Sequence, residues 1–262
     1  ISAHQGKAIS SRSRESILAE AGAIAKHSDF RGTINDLGGP TANMYGLGCT
    51  RKTPCNRPSC LWPDCCRDLN TDQSSYLHLL REVRTIPGVK HVFVTTGIRT
   101  DLAVLSEPFV RELAEHHTSG LLKVAPEHVS PAVLRVMRKP TIESFLRFLN
   151  LHRRFSELAE REQYVLPYIL AAHPGCTIDD MIEVHHFLKK HHLKVEQCQI
   201  FTPTPGTAAT VMYATGLDPS TLKPVFVERD PKMKEMQKAL ILHHLPENAA
   251  LIKKAMGAPK AK

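Results

Sequence analysis

The sequence predicts an α/β fold built on parallel strands in an open or incomplete sheet. Five apolar, β-rich runs alternate with helical segments, the pattern of parallel strands joined by right-handed crossovers. Each run is followed directly by Gly, Pro, His or Glu, and the carboxyl edge of parallel strands is where such folds bind ligands. At 262 residues the chain can bury a substantial core, but five βα units are too few for an eight-stranded barrel.

In chain order, Ile17, Ala21 and Ile24 at helical spacing, with Ser13 as N-cap and Glu15 in the first turn, predict a helix near 13–27. A short strand over 32–37 runs into Gly38-Gly39-Pro40, and Leu77, Leu80 and Val83 place a helix at 73–86 before Pro87-Gly88. The run 89–96 reads as a strand ending at Gly97, and Ser106-Glu107-Pro108 opens a helix, proline being tolerated in a first turn. A strand at 121–125 precedes helices near 131–138 and 141–159, the second capped by Thr141. A strand at 164–172 ends in His173-Pro174-Gly175, and the capping box Thr177-Ile-Asp-Asp180 starts a helix reaching about 191. The last strand, 195–202, ends in Pro203-Thr204-Pro205-Gly206; a polar linker then leads to helices near 231–244 and 247–256 and a basic tail. The five strands are expected in consecutive order in one curved sheet.

A net charge of +8 and a pI near 9.2 suit an anionic partner, yet the basic residues are scattered, which supports nucleic-acid binding only weakly. An aromatic content of 6% leaves few surfaces on which bases could stack. Neither a secretory signal nor a long apolar run is present, which predicts a reducing, cytoplasmic compartment and no membrane span. Most of the paired histidines (His116/His117, His185/His186, His191/His192, His243/His244) are expected at the surface or as partners of helix C-termini.

Five of the seven cysteines, Cys49, Cys55, Cys60, Cys65 and Cys66, fall within eighteen residues. Pro54, Pro58 and Pro63 bend the backbone between them, so several sulfurs can point inward. In a reducing compartment such a cluster reads as metal or redox chemistry before it reads as a disulfide framework. The spacing fits no common zinc finger and does not choose iron over zinc.

Five stretches, Ile1-Ser-Ala-His-Gln-Gly-Lys7, Asp36-Leu-Gly-Gly-Pro-Thr-Ala-Asn-Met-Tyr45, Lys123-Val-Ala-Pro-Glu-His128, Ala172-His-Pro-Gly-Cys-Thr177 and Gln199-Ile-Phe-Thr-Pro-Thr-Pro205, resemble the YgiQ family of radical S-adenosylmethionine proteins. The resemblance covers nearly the whole chain and implies a partial TIM-like barrel of parallel βα units. It further implies a [4Fe–4S] cluster and S-adenosylmethionine at the carboxyl edge, with electrons from a flavodoxin or ferredoxin. The family's Cys-x-x-x-Cys-x-x-Cys cluster motif precedes the segment similar to Ile1–Lys7. The chain is therefore expected to be a core fragment lacking its first βα unit, inactive alone, from an enzyme that abstracts hydrogen from an unspecified substrate.

The same resemblance assigns Gly38, Gly39 and Thr41 to the turn that binds the amino group, although Pro40 and Thr41 stand where an acidic residue is usual. Lys123 would pair with the carboxylate and Glu127 with the ribose hydroxyls, while His173, Gly175, Thr202 and Pro203 would flank adenine. Residues 1–215 are expected to form the core and 216–262 a helical extension. Cys49, Cys55, Cys60 and either Cys65 or Cys66 would hold an auxiliary Fe–S cluster or zinc. The competing reading is a basic α/β module, stapled by zinc, that binds RNA or a protein partner.

Overall fold

A computed structural model describes residues 9–39, 41–53 and 55–257; the Ile1–Lys7 motif, Pro40, Pro54 and the end of the basic tail lie outside the described residues. The helices are α1 (Arg14–Ala25), α2 (Ser74–Arg84), α3 (Thr100–Ala103), α4 (Glu107–Glu112), α5 (Pro131–Met137), α6 (Ile142–Leu158), α7 (Ile178–Lys190), α8 (Ala208–Thr215), α9 (Pro231–Ile241) and α10 (Ala249–Met256). The strands are β1 (Thr33–Ile34), β2 (His91–Val92), β3 (Leu121–Glu127), β4 (Tyr164–Ala171) and β5 (Cys198–Ile200). The described residues divide into an N-terminal unit, 9–124 with 143–165, and a C-terminal unit, 125–142 with 166–257.

Strand order follows sequence order, β1-β2 in one sheet and β3-β4-β5 in the other, and the strands do not close into a barrel among the described residues. The pairs β1–β2 and β4–β5 are parallel. The expected single sheet is thus split into two regular ladders, and in the N-terminal unit an isolated parallel bridge joins Ile98 to Val124. β2 is shorter than the expected 89–96 because a side chain takes over its hydrogen bonds. Asp36 Oδ1 accepts from the Thr95 and Thr96 N–H groups at 2.8 and 3.2 Å, so these donors leave the ladder.

The N-terminal unit buries Leu79, Leu80 and Val83 of α2, Phe109 and Val110 of α4, and Phe145, Phe148 and Leu149 of α6. On α6 the buried positions recur at three- and four-residue steps, the apolar stripe of an amphipathic helix. In the C-terminal unit Val133 and Leu134 of α5, Ile169 and Ala171 of β4, and Met181, Val184 and Leu188 of α7 form the core with Leu240 and Ile241 of α9. The Thr177–Asp180 capping box is complete, and α7 starts at Ile178 where the sequence puts it. Two of the paired histidines are buried, His117 with Nδ1 2.7 Å from the Val92 carbonyl and His185 with Nδ1 3.1 Å from the Leu240 carbonyl in the last turn of α9; the other six are not. Each of the two buried imidazoles satisfies a backbone group inside the protein instead of facing water.

Candidate functional site

In the N-terminal unit the turn after β1 is built around Asp36. Its carboxylate holds the end of β2 through the Thr95 and Thr96 amides and the Thr96 hydroxyl, 3.1 Å away. Gly38 sits directly against this knot: a Cβ there would lie 1.9 Å from Thr96 Oγ1 and 2.9 Å from Asp36 Oδ1. Gly39 differs, because a Cβ at that position meets nothing within 4 Å. The two glycines therefore have separate reasons, close packing for Gly38 and an open approach to the backbone at Gly39. Thr41 is half-buried at the start of the 3-10 turn Ala42–Met44 and its side chain makes no capping bond. Asn43, fully buried, fixes that turn by donating to the Arg99 carbonyl and accepting from the Arg99 N–H, both at 2.9 Å. Lys123 lies within β3, on its exposed face.

In the C-terminal unit the carboxyl ends of β3, β4 and β5 carry the other residues assigned from sequence. Glu127 ends β3 with φ 68°, and its Oε1 accepts from Lys139 Nζ at 3.2 Å. Ala172, directly after β4, has φ 56°. Left-handed backbone is costly for residues with a Cβ and is held only where surrounding contacts impose it. Here the contact is Gln237 of α9, whose Oε1 accepts the Ala172 N–H at 2.8 Å. His173 is buried, with Nδ1 2.8 Å from the Pro174 carbonyl and its ring edge-on to Phe201 at 5.2 Å. Burial lowers the His173 pKa, with the Pro174 hydrogen bond opposing the shift. Gly175 has φ 89°, donates to the Phe226 carbonyl at 2.7 Å, and leaves a Cβ only 3.1 Å from Val136. Thr202 and Pro203 are exposed after β5, the Thr202 hydroxyl donating to the Ile200 carbonyl at 3.3 Å.

Behind this edge lies a buried pair, His128 and Cys176, whose residues stand in the family-like stretches but whose contact the sequence did not predict. His128 Nδ1 accepts the Ser130 N–H at 3.0 Å, so Nε2 carries the proton and points at Cys176 Sγ, 3.4 Å away. Burial pushes the His128 pKa down to about 4 and the Cys176 thiol well up. Both groups are neutral at physiological pH, which makes this a packed structural pair and not a thiolate nucleophile.

All seven cysteines are free thiols. In the 49–66 loop Cys49, Cys55 and Cys65 are exposed while Cys60 and Cys66 are half-buried. Among the described residues, no three His, Cys, Asp or Glu side chains are grouped so that they could hold a metal ion. No helix among these residues is long and apolar enough to cross a membrane.

Comparison with known sequences matches residues 196–259 to a family described as "Domain of unknown function (DUF3362)". That region spans β5, α8, α9 and α10. The chain is 51% identical over 249 residues to a UPF0313 protein of Geobacter sulfurreducens, which covers 94% of the chain and 41% of that protein. It is 46% identical over 259 residues to a UPF0313 protein of Methanocella arvoryzae, covering 98% of the chain and 43% of that protein. A UPF0313 protein of Clostridium perfringens is 42% identical over 261 residues, covering 98% and 39%. The chain thus spans about two fifths of the length of these relatives.

Proposed function

Taking as premise that the chain belongs to the UPF0313, or YgiQ, family, we propose that it forms the S-adenosylmethionine-facing part of a radical enzyme. The observation that carries this reading is the strained carboxyl edge of β3 and β4, where Glu127 and Ala172 are held in left-handed backbone. Strain of about 1–3 kcal/mol per residue, over-determined by neighbours, is characteristic of ligand-binding positions. S-adenosylmethionine bound to a reduced [4Fe–4S] cluster supplies hydrogen-atom abstraction. The described residues offer no grouped ligands for such a cluster, so no step is derived through it. They suit the nucleoside better. Glu127 accepts from ribose hydroxyls while Lys139 balances its charge, and His173 and Gly175 line the adenine side with Thr202 and Pro203. In the N-terminal unit the backbone at Gly39 is open to a close approach, and the roles of Gly38, Gly39, Thr41 and Lys123 toward the methionine end are what the family resemblance implies. The electron donor is a flavodoxin or ferredoxin.

The full-length protein, reconstituted anaerobically with iron and sulfide, should convert S-adenosylmethionine to 5′-deoxyadenosine under a strong reductant. Glu127→Gln should weaken S-adenosylmethionine binding by about tenfold or more, the scale of one lost hydrogen bond to a charged group. A wild-type protein that holds its cluster yet forms no 5′-deoxyadenosine overturns the reading. Unchanged affinity in the Glu127 variant removes the ribose role.

A further inference from the structure

Within the C-terminal unit, one buried chain of polar groups joins the two left-handed positions, Glu127 closing β3 and Ala172 following β4. It starts beside Glu127. The Ser130 N–H donates to His128 Nδ1 at 3.0 Å, which leaves the Nε2–H to face Cys176 Sγ at 3.4 Å. The Cys176 thiol donates to Gln237 Oε1 at 3.5 Å, with the Thr177 carbonyl its alternative acceptor at 3.6 Å. The same Gln237 oxygen accepts the Ala172 N–H at 2.8 Å. His128, Cys176 and Gln237 are fully buried, so bulk water does not compete for these bonds. The far end of the turn is fastened as well: the Gly175 N–H donates to the Phe226 carbonyl at 2.7 Å, and the Phe201 ring meets His173 edge-on. Gln237, Phe226 and Phe201 all lie within 196–259, the stretch that matches the domain of unknown function. Gln237 is an odd residue to bury for stability alone. Its Nε2 has no hydrogen-bond partner among the described residues. A buried donor left unpaired costs free energy that an apolar side chain of the same shape does not. What the glutamine supplies in return is an acceptor for the Ala172 amide.

We propose, on the reading that this edge takes the nucleoside of S-adenosylmethionine, that Gln237 is a positioning residue for that ligand. Through Ala172 on one side, and Cys176 and His128 on the other, it sets the β3 and β4 edge in its binding conformation. The region 196–259 is thereby a working part of the nucleoside site and not an appended module. Without the anchor, Ala172 relaxes out of the left-handed region and carries His173 and Gly175 with it. An anchored turn has less freedom to lose when the ligand arrives, so pre-organisation appears as affinity.

The test compares the full-length protein with Gln237→Met, which fills the same space without the acceptor. Hydrogen exchange of the ligand-free protein, read by mass spectrometry on overlapping peptides, reports the Ala172 amide, and equilibrium titration with S-adenosylmethionine reports affinity. In the variant the amide should exchange, and the ligand dissociate, about tenfold more readily, the scale of one lost buried hydrogen bond. The urea midpoint should match wild type or exceed it, because the unpaired Nε2 is gone. Gln237→Asn, polar but one methylene short of Ala172, should lose protection and affinity in the same way. Gln237→Glu keeps the acceptor oxygen and should recover both. Normal Ala172 protection in Gln237→Met and Gln237→Asn, or lost protection with unchanged affinity, overturns the proposal. Equal loss of affinity and of global stability in all three variants overturns it too, leaving Gln237 a core residue only. A wild-type protein that binds no S-adenosylmethionine overturns the function proposed above and the ligand role of Gln237 together. Binding by wild type with unaffected variants overturns only the latter.

Discussion

Gly38 and Gly39 are neighbours with opposite demands. Gly38→Ala drives a methyl group into Thr96 and Asp36, and overpacking of this kind costs about 1–3 kcal/mol. Gly39→Ala has room for its methyl and loses unfolded-state entropy, so its stability should be unchanged or higher by up to about 1 kcal/mol. Urea midpoints of the two variants check this, and an equal loss in both would contradict the geometry. S-adenosylmethionine affinity should fall in the Gly39 variant despite its intact fold. The sequence marks both positions as a glycine turn but cannot separate them, because the side chain that crowds Gly38 arrives from Thr96, far along the chain. Short-range chemistry was more legible. Ser13 caps α1 and Thr177 caps α7 as read from sequence, since each cap reaches only three residues forward.

At the level of elements, helices were easier to read than strands. α2, α6 and α7 carry regular apolar stripes, whereas β1 and β5 have regular ladders of two and three residues. Beyond these ladders single strand-like bonds continue, Leu37 N–H to the Phe93 carbonyl at 2.9 Å and Phe201 N–H to the Ala171 carbonyl at 2.8 Å. α8 was missed: its small and β-branched residues (Ala208, Ala209, Thr210, Val211) have no helical stripe, and only Thr207 as cap and Gly216 in left-handed conformation mark its limits. Among the residues assigned from sequence, Glu127 closes β3 and His173, Gly175, Thr202 and Pro203 follow strand ends, but the Lys139 partner of Glu127 and the Gln237 bond to Ala172 depend on the tertiary fold. The α7 cap offers a quantitative check. Thr177→Ala removes the hydroxyl that accepts the Asp180 N–H, leaves the Thr177 N–H to Asp180 bond in place, and should cost about 1 kcal/mol, read as a lower urea midpoint. No change would mean that packing and the remaining bond hold this end of α7.

For the whole molecule, buried histidines govern the response to acid. His117, His128 and His152 are each pushed by burial from 6.5 to about 4. The folded state keeps them neutral while the unfolded chain takes up protons near 6.5, so their contribution is complete above that pH and is lost as pH falls toward about 4. Each displacement acts in the same direction, so the three losses add as the pH falls. The urea midpoint should therefore fall steadily across this window, and His117→Gln should flatten the slope. A midpoint independent of pH there would show that the three rings reach water. The charge of +8 adds to the effect, since each further proton raises repulsion within an already basic chain.

The bond from Gln237 to Ala172 also orders events in time. The two residues are 65 positions apart, so a ribosome that has just added Ala172 must add 65 more before the partner of its amide exists. At about 5–20 residues per second, the nascent loop spends roughly 3–13 s without that anchor. Its left-handed geometry is thus completed from the carboxyl side, and a message truncated just before Gln237 yields a chain in which all five strands are present but the β4 edge is unfinished.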